Sequence, residues 1–425
     1  MKLSAQSHPI LWSYLPQFEQ TLAEAQLTTQ SILVGLSGGV DSSVSALCLL
    51  ALKYNVAALF MKNWDEDDGT EFCTAKADLA DAQAVADLLG FKLHTANFAA
   101  EYWDQVFAHF LQSYAMGHTP NPDVLCNREI KFQVFRDYAT ALGFSAIATG
   151  HYAQIKSRQD STGQQQPLLC QSVDTNKDQT YFLNGVAQQD FQNVVFPLAA
   201  LNKSEVRAIA KEAGLITSTK KDSTGICFIG ERRFTDFLSQ YIAHQPGSIV
   251  DEHGNKLGEH HGLSYYTLGQ RKGIGIGGTQ KGLEKPWFVA EKNLQTNELL
   301  IVQDPEHPLL LSHWVVIDNM NWITTLPEIL DAALLEHNTW HGLGRCRHRQ
   351  PLVDLSINFS QQDISDSDKK SGDTQPVLTA ENTFDATTIT LQFHKPQWAV
   401  TPGQYLVLYH NEICLGGGTV KERWL

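Results

Sequence analysis

The sequence is short of the features that mark membrane, secreted and zinc-binding proteins. None of its apolar runs reaches the length of a transmembrane helix. Its first residues, MKLSAQSHPILWSYLPQFEQ, have the pattern of neither a signal peptide nor a transit peptide. Its seven cysteines are scattered, without the CxxC or CxxH spacing of a zinc site. We therefore expect a cytoplasmic protein without a membrane partner. Its reducing surroundings disfavour permanent disulfides and are compatible with reactive thiols.

Positive charge is also scarce. The 425 residues include 32 Lys+Arg and 46 Asp+Glu, and the net charge of −14 disfavours indiscriminate binding to nucleic acid. The net charge does not exclude a localised basic surface. Because Arg345, Arg347 and Arg349 alternate, we expect them to share one face of a strand. The other candidate cations for such a surface are Lys220, Lys221, Arg232, Arg233, Arg271 and Lys272.

The predicted secondary structure changes along the chain. From Ser31 to about His151, short β-rich runs alternate with helical stretches, which predicts an α/β fold with a parallel sheet flanked by helices. After about residue 233, glycine-rich turns and short strands predict a small central β domain and a C-terminal β-barrel. We predict an N-terminal extension over 1–29, a catalytic domain over 30–232, a central domain over 233–307 and a barrel domain over 308–425.

Two polar segments have the composition of loop insertions. SRQDSTGQQQP, residues 157–167, is short, whereas SQQDISDSDKKSGDTQ, residues 360–375, is longer and has almost no apolar content. We expect residues 360–375 to be disordered, because they bury too little apolar surface to offset the entropy lost on ordering.

The stretch ILVGLSGGVDSSVSALCLL, residues 32–50, predicts a phosphate-binding loop. An apolar strand runs into SGG (37–39) and DSS (41–43), and a helix with an apolar side follows. The glycines let backbone N–H groups approach a ligand, and the helix start adds free N–H groups and a positive dipole end. The lysine of a Walker loop and the GxGxxG spacing are both missing. A plain helix cap after a glycine turn is the alternative interpretation.

The next strand ends on Met61 and the acidic run of residues 65–68. Met61 either packs in the core or covers an adenine ring. The acidic run either forms a solvated loop or offers oxygen ligands to Mg²⁺.

The phosphate-binding loop matches the SGG-x-DS signature of the ATP pyrophosphatase group, and the rest of the chain resembles one family within it. That family is the tRNA-specific 2-thiouridylases, which place sulfur on the wobble uridine of tRNA. Six motifs occur in the order found there, from about residue 30 to the C-terminus: GLSGGVDSS, NPDVLCN, ATGHYA, NKDQTYFL, DSTGICFIGERRF and LGQRKGIGIGG. The first 29 residues and both insertions depart from it, as does His348, where the family usually has tyrosine.

The resemblance implies an adenine nucleotide alpha hydrolase-like fold that uses ATP with Mg²⁺. It implies that the ATP phosphates are bound by Gly35, Leu36, Ser37, Gly38, Gly39, Val40, Asp41 and Ser42, and that Met61 and Gly150 lie against the nucleotide. It implies that the target base is contacted by Asn121, Pro122 and Asp123, and the tRNA by Lys177, Asp178, Gln179, Arg347 and His348. The metal ligands stay unknown.

By the same resemblance Cys126 is the nucleophile and Cys227 carries a persulfide, and we add a proton-transfer role for Asp123. The expected partners are tRNAs for Lys, Glu and Gln and a sulfur-relay protein fed by a cysteine desulfurase. We expect Cys126 to lie in a polar, mobile loop at the start of a helix beginning near Asn127. Arg128 and Lys131 would favour its thiolate.

The chemistry of thiolation needs both an ATP site and cysteines. The oxygen at carbon 2 of uracil leaves poorly until adenylation converts it into an ester of AMP. A persulfide on Cys227 then attacks directly, or releases hydrosulfide when Cys126 attacks its inner sulfur; both routes end in a disulfide that must be reduced. The alternatives are a small-molecule ligase of the same ATP group and an inactive RNA-binding protein. The two cysteines disfavour the first, and the complete phosphate loop disfavours the second.

Overall fold

The computed structural model of the chain describes residues 2–67, 75–160, 163–222, 234–276, 285–324, 339–358 and 388–425. The chain divides into two compact units. The first unit contains Met1–Phe107, Pro122–Arg232 and Glu412–Leu415, and the second contains Ala108–Asn121, Arg233–Asn411 and Gly416–Leu425. Cys227 and the segment predicted to be disordered, 360–375, lie outside the described residues. No helix in the described ranges is long and apolar enough to cross a membrane.

A parallel sheet forms the centre of the first unit, as predicted. Its strands lie in the order β3-β2-β1-β4-β7 and pair in parallel throughout. The strands of the first unit are β1 Ser31–Gly35, β2 Asn55–Lys62, β3 Leu93–Asn97, β4 Ala146–Ala148, β5 Gln154–Gln159, β6 Gln165–Cys170 and β7 Val194–Val195. The strand order reverses direction between β1 and β4, and such a switch point opens a crevice at the carboxyl ends of the strands.

Helices cover the sheet because β1 and β2 are apolar on both faces. The α-helices of the chain are α1 Pro9–Ser13, α2 Leu15–Ala25, α3 Val40–Ala51, α4 Ala75–Leu89, α5 Ala99–Tyr102, α6 Ala108–Ala115, α7 Pro122–Leu125, α8 Phe135–Ala141, α9 Thr180–Leu183, α10 Lys203–Glu212 and α11 Phe234–Leu238. Two π-helical stretches, Trp103–Phe107 and Cys126–Val134, join neighbouring helices. Short 3-10 helices are Gln188–Phe191, Ile216–Thr219, Leu263–Tyr265 and Pro308–Leu310.

Helices α1 and α2, in the N-terminal extension, contribute side chains to the core of the first unit. Leu11 and Phe18 are fully buried in the same cluster as Val44 of α3. The carboxylate of Glu212 accepts hydrogen bonds from the backbone N–H groups of Ile10 (2.7 Å) and Leu11 (2.9 Å). An acidic side chain is favourable there because the first turn of a helix has unpaired N–H groups and a positive dipole end.

The segment 157–167 is wrongly predicted as a loop insertion. Strands β5 and β6 pair antiparallel through most of it, from Ser157 opposite Pro167 to Gln159 opposite Gln165. The polar composition misled the prediction because the outer end of this hairpin is exposed, and backbone pairing holds it without apolar burial.

The second unit is built from β strands, as predicted for the C-terminal half. Its strands are β8 Gly247–Val250, β9 Lys256–His260, β10 Phe288–Asn293, β11 Glu298–Val302, β12 Leu311–Trp322, β13 Thr339–Arg345, β14 Val353–Asn358, β15 Ile389–Trp398, β16 Tyr405–His410 and β17 Ile413–Trp424. A four-stranded sheet has the order β10-β11-β8-β9. The order β12-β15-β14-β13-β16-β17 closes into a barrel through pairing of β12 with β17.

Helix α6 clusters with the second unit, although the sequence placed it in the catalytic domain. Its Tyr114 ring packs 5.5 Å from the ring of Phe234, and the backbone carbonyl of Tyr114 accepts a hydrogen bond from Ser264 (2.8 Å). Lys292 donates to the carbonyl of Gly117 just after the helix (2.9 Å). These partners are more than 100 residues away, and helical periodicity does not identify them.

Candidate active site

Two of the sequence motifs lie side by side at the switch point of the sheet. The phosphate-loop motif follows β1, and the ATGHYA motif follows β4, which pairs with β1. Gly150 of the second motif packs against the first turn of α3: a Cβ atom there would lie 2.7 Å from the nitrogen of Ser42. This contact requires glycine and brings both motifs to the crevice where open α/β sheets bind ligands.

The phosphate-binding loop has the turn that its glycines predicted. Gly38 has a φ of +73°, and a side chain on it would collide with the backbone of Asp78. The hydroxyl of Ser42 accepts from the N–H of Ser37 (3.2 Å) and is 5% exposed. Near the end of β1, a Cβ atom on Gly35 would lie 3.4 Å from the Met61 methyl group. The backbone therefore forms a tight cradle at the helix start, with Met61 close to it.

Lys220 lies against this loop. Its ammonium group donates to the carbonyl of Gly38 (2.9 Å) and pairs with Asp78 (2.7 Å) and Asp81 (2.5 Å). Two carboxylates of α4 compensate the charge of Lys220, so its candidate role on a basic RNA surface stays a prediction. Its observed contacts stabilise the loop in its turned conformation.

Asp41, at the start of α3, is held by two residues that the sequence did not single out. Lys203 donates to both of its carboxylate oxygens (2.7 Å each), and the Tyr152 hydroxyl donates to one of them (2.9 Å). Burial and the neighbouring Asp41 carboxylate raise the pKa of Tyr152, which keeps its hydroxyl protonated as a donor. Asp41 is thus fixed in one orientation beside the cradle.

A second carboxylate, Asp222, extends this network. Its oxygens pair with Lys177 (2.7 Å), Lys203 (2.8 Å) and Arg207 (2.7 Å). Burial would raise the pKa of Asp222, but the hydrogen bonds from Lys177 and Lys203 prevail and lower it to about 2. Asp222 is therefore ionised at neutral pH. It precedes Cys227 by five residues in the sequence.

Cys126 lies in a helical element and not in the mobile loop that the sequence predicted. Helix α7 runs directly into the π-helical stretch that Cys126 opens, and the Cys126 side chain is 2% exposed. The prediction relied on the polar residues and the prolines of this stretch. In the structure, Val124, Ile130 and Phe132 of the same stretch are fully buried, and their burial favours a packed helix over a loop. π-Helical turns are rare and recur at functional sites. Arg128, expected to favour the thiolate, pairs with Glu129 (2.6 Å).

The charge of Lys131 acts on both Asp123, which is half-buried, and His151, which is buried. Burial raises the pKa of Asp123, and the charge of Lys131 opposes this shift. Burial holds the pKa of His151 well below its ordinary value, and Lys131 lowers it further. His151 is therefore neutral, and its Nδ1 lies 2.7 Å from the hydroxyl of Thr149. A carboxyl group with a raised pKa exchanges protons closer to neutral pH.

An aromatic contact joins the Cys126 helix to the phosphate loop. Phe132, six residues after Cys126, packs with its ring centroid 5.9 Å from that of His151. The next residue back, Gly150, is the one that abuts Asp41 and Ser42. The fold thus places the helix of Cys126 against the crevice beside the phosphate-loop motif.

Comparison with known proteins decides the family. Models of three family domains match in sequence order: the tRNA methyl transferase HUP domain over residues 30–231, the tRNA methyl transferase PRC-barrel domain over 235–303, and the aminomethyltransferase beta-barrel domain over 370–420. The tRNA-specific 2-thiouridylase MnmA of Acinetobacter baylyi is 51% identical over 92% of this chain and 97% of its own length. The enzyme of the same name from Alcanivorax borkumensis is also 51% identical, with the same coverage.

The chain belongs to the tRNA-specific 2-thiouridylase family. The identity extends over almost the whole chain, so the resemblance drawn from six motifs is confirmed. Among solved structures, the NH3-dependent NAD synthetase of Campylobacter jejuni is 21% identical, with a TM-score of 0.29 over 50% of this chain and 75% of that one.

The three NKDQTYFL residues that the thiouridylase resemblance assigns to tRNA are bonded within the first unit. The Lys177 ammonium pairs with Asp222. Asp178 is 1% exposed and accepts from the hydroxyl of Thr180 (2.7 Å). Gln179 exchanges two hydrogen bonds with the backbone of Tyr152. Asn121, at the edge of the second unit, directly precedes Pro122 of α7. Their assigned contacts with tRNA and the target base stay predictions.

The three alternating arginines do not share one face of a strand, so that prediction is wrong. Strand β13 ends at Arg345, and residues 346–350 form a turn. Arg345 is 4% exposed and donates twice to the Tyr409 hydroxyl (3.1 and 2.9 Å) and once to the His348 carbonyl (3.2 Å). Arg347 donates to the Ala399 carbonyl (2.9 Å). Only the tertiary structure shows that Arg345 supports the turn from inside.

We expect Arg345→Ala to lower the free energy of unfolding by about 2–4 kcal/mol, because it leaves the Tyr409 hydroxyl and a carbonyl without their donor. Thermal unfolding followed by circular dichroism measures the change. The matched control is Arg349→Ala, since Arg349 is exposed on the same turn and its loss should leave the melting temperature nearly unchanged. An unchanged melting temperature for Arg345→Ala, together with a shallower salt dependence of tRNA binding, would indicate that Arg345 contacts tRNA and does not stabilise the turn.

The residues missed by sequence reasoning are Tyr152, Lys203 and Asp222. Tyr152 lies in ATGHYA and Asp222 opens DSTGICFIGERRF, so both were inside quoted motifs. Lys203 follows Asn202, which caps the start of α10. Nothing local marks it, because Asp41 is 162 residues away.

Proposed function

We propose that this chain uses ATP to adenylate the oxygen at carbon 2 of the wobble uridine of tRNA, and replaces that oxygen with sulfur from a persulfide on Cys227. The observation that carries the proposal is the contact chain from the Cys126 helix through Phe132, His151 and Gly150 to the phosphate-binding loop. A nucleotide site beside a buried cysteine suits a reaction in which adenylation precedes sulfur transfer.

The residues of the loop fit the phosphates of ATP. Gly38 adopts a positive φ, and a Cβ atom on Gly39 would meet nothing closer than the Ser37 hydroxyl at 3.4 Å, which leaves room for a phosphate oxygen. The start of α3 supplies N–H groups and a positive dipole end. We propose Gly35 to Ser42 as the phosphate site, with Met61 and Gly150 against the nucleotide.

Mg²⁺ would be held mainly by ATP itself. The described residues contain no group of three or more His, Cys, Asp or Glu side chains arranged to hold a metal ion. Asp65 of the acidic run pairs with Lys62 (2.5 Å) and belongs to an exposed loop. Mg²⁺ commonly binds to substrate phosphates with one or two carboxylates. Asp41 is the carboxylate nearest the loop, and Lys203 would have to release it.

The proposed reaction balances in three steps. The uracil oxygen attacks the α-phosphorus of ATP, forming an ester of AMP and releasing pyrophosphate. The outer sulfur of the Cys227 persulfide attacks carbon 2, and AMP leaves with the oxygen. The Cys126 thiolate attacks the inner sulfur of Cys227, which leaves the sulfur on the base and a Cys126–Cys227 disulfide that a thiol reductant reopens. In the alternative order, Cys126 attacks first and the released hydrosulfide attacks carbon 2.

Asp123 is the candidate for proton transfer at the base. Burial raises its pKa, so it can take a proton from the uracil ring as the oxygen attacks phosphorus and can return it after AMP leaves. Asn121 and Pro122 would position the same base. The proposed partners are tRNAs for Lys, Glu and Gln and a sulfur-relay protein fed by a cysteine desulfurase, in the cytoplasm.

Mass spectrometry of tRNA nucleosides tests this function. In cells without the protein, 2-thiouridine and its derivatives should disappear and should return when the wild-type chain is supplied. Persistence of 2-thiouridine would contradict the proposal and favour the small-molecule ligase. Loss of a methylated uridine with 2-thiouridine intact would instead favour the activity in the description of the HUP-domain model.

A further inference from the structure

A cavity of about 650 Å³ lies within the second unit. The ends of β10 and β17 line it, together with the residues that follow α6. Its rim collects large apolar side chains that are unusually exposed: Met116 (48%), Leu294 (57%), Leu309 (38%) and Trp424 (43%). Such a concentration of exposed apolar surface marks a binding site in most soluble proteins.

Two cations of the cavity, Lys292 and Arg423, form no ion pair with a carboxylate among the described residues, although the nearby charge of Glu291 partly offsets the lowering of the Arg423 pKa by burial. Lys292 donates only to the Gly117 carbonyl (2.9 Å), and desolvation lowers its pKa to about 8. Arg423 donates to the Ser312 hydroxyl (3.2 Å) and to two backbone carbonyls, those of Ala290 (3.1 Å) and Leu309 (2.9 Å). Glu291 and Glu422 also line the cavity, but both are exposed, and Lys421 is paired with Asp318 outside it (3.0 Å).

Lys292 and Arg423 each have more hydrogen-bond donors than their contacts with the described residues use. An ammonium group has three N–H donors and a guanidinium has five. Lys292 uses one and Arg423 uses three, so both can bind a further acceptor. Burying a cation is costly where its charge is not fully compensated, and an anion that forms hydrogen bonds with it lowers that cost.

The rim also offers one aromatic surface for stacking. The rings of Trp424 and Trp314 are stacked, with centroids 6.3 Å apart and an angle of 9° between their planes. Trp424 lines the cavity and Trp314 does not. One face of Trp424 is therefore supported by Trp314, while the rest of its ring is available to a ligand. Bases stack on such supported aromatic rings in proteins that bind single-stranded nucleic acid.

We propose that this cavity binds a nucleotide, with its phosphate on Lys292 and Arg423 and its base on Trp424. Neither an isolated phosphate nor an isolated apolar group would use both halves of the site. The nucleotide comes either from a free mononucleotide or from an unpaired position of bound tRNA; only the second source rests on the proposed function.

Calorimetric titration with uridine 5′-monophosphate tests the site in the full chain. A non-hydrolysable ATP analogue is kept in excess so that the phosphate loop is filled. We expect wild-type protein to bind the nucleotide, and Trp424→Ala and Lys292→Met each to weaken binding by at least about tenfold. Uridine without phosphate should bind at least as weakly. The control is Lys256→Met, an exposed lysine of the same unit paired with Glu259, which should bind like wild type.

A parallel measurement of tRNA affinity separates the two sources. If Trp424→Ala weakens both uridine 5′-monophosphate and tRNA, the ligand is a nucleotide of tRNA. If it weakens only the mononucleotide, the ligand is a free nucleotide. If wild-type protein binds no uridine 5′-monophosphate and tRNA affinity is the same in Trp424→Ala, the proposal is overturned and the apolar rim belongs to a protein partner. No sulfur is transferred in these measurements, so this failure is distinct from failure of thiolation.

Discussion

Cys227→Ser should accept no sulfur from a cysteine desulfurase, whereas Cys126→Ser should still be loaded at Cys227 and yet transfer little of that sulfur to tRNA. Loading requires the thiol that holds the persulfide, and release of the sulfur requires the other thiol. Both variants should bind ATP normally, because the phosphate-binding loop contains neither cysteine.

Labelled cysteine, a desulfurase and non-reducing gels measure loading, and subsequent addition of tRNA and ATP measures transfer. A matched control is Cys346→Ser. Burial raises the pKa of the Cys346 thiol to about 12, so it is inert at neutral pH and its loss should leave loading and transfer unchanged. Loading of Cys227→Ser but not of Cys126→Ser would reverse the two roles. Normal thiolation by both variants would rule out the two-cysteine mechanism.

Asp41→Asn should reduce tRNA-dependent release of pyrophosphate from ATP by about 100-fold or more, the usual effect of removing one well-placed charged or polar group from an active site. The substitution keeps the shape of the side chain but removes the charge that pairs with Lys203. tRNA binding should be retained, since the charge change is confined to the nucleotide crevice.

Pyrophosphate release and retention of tRNA on filters are measured in parallel. Asp87→Asn is the matched control, because Asp87 is an exposed carboxylate of the first unit whose hydrogen-bond partner among the described residues is Gln83 of its own helix (2.8 Å). Ser42→Ala should resemble Asp41→Asn, because it removes the hydroxyl closest to the loop. Normal pyrophosphate release by both variants would show that the phosphate site lies elsewhere.

The sequence alone determined the α/β architecture, the position of the glycine turn between β1 and α3, and the family. Each of these features follows from residues that are close together in the sequence. A glycine turn between an apolar strand and a helix is typical of a phosphate-binding site, and six motifs in a fixed order identify the family. The cap of α10 at Asn202 is local for the same reason, since a capping box needs only residues three apart.

Only the tertiary structure decided which charges work together and which are buried. Lys203 reaches Asp41 because α10 and α3 pack side by side, and no sequence spacing encodes that contact. Arg345 sits inside the protein because Tyr409 of a neighbouring strand accepts its hydrogen bonds. Cys126 lies in a buried helix because the apolar side chains around it prevail over its polar neighbours. Long-range packing sets the surroundings of each residue, whereas local pattern sets only its backbone.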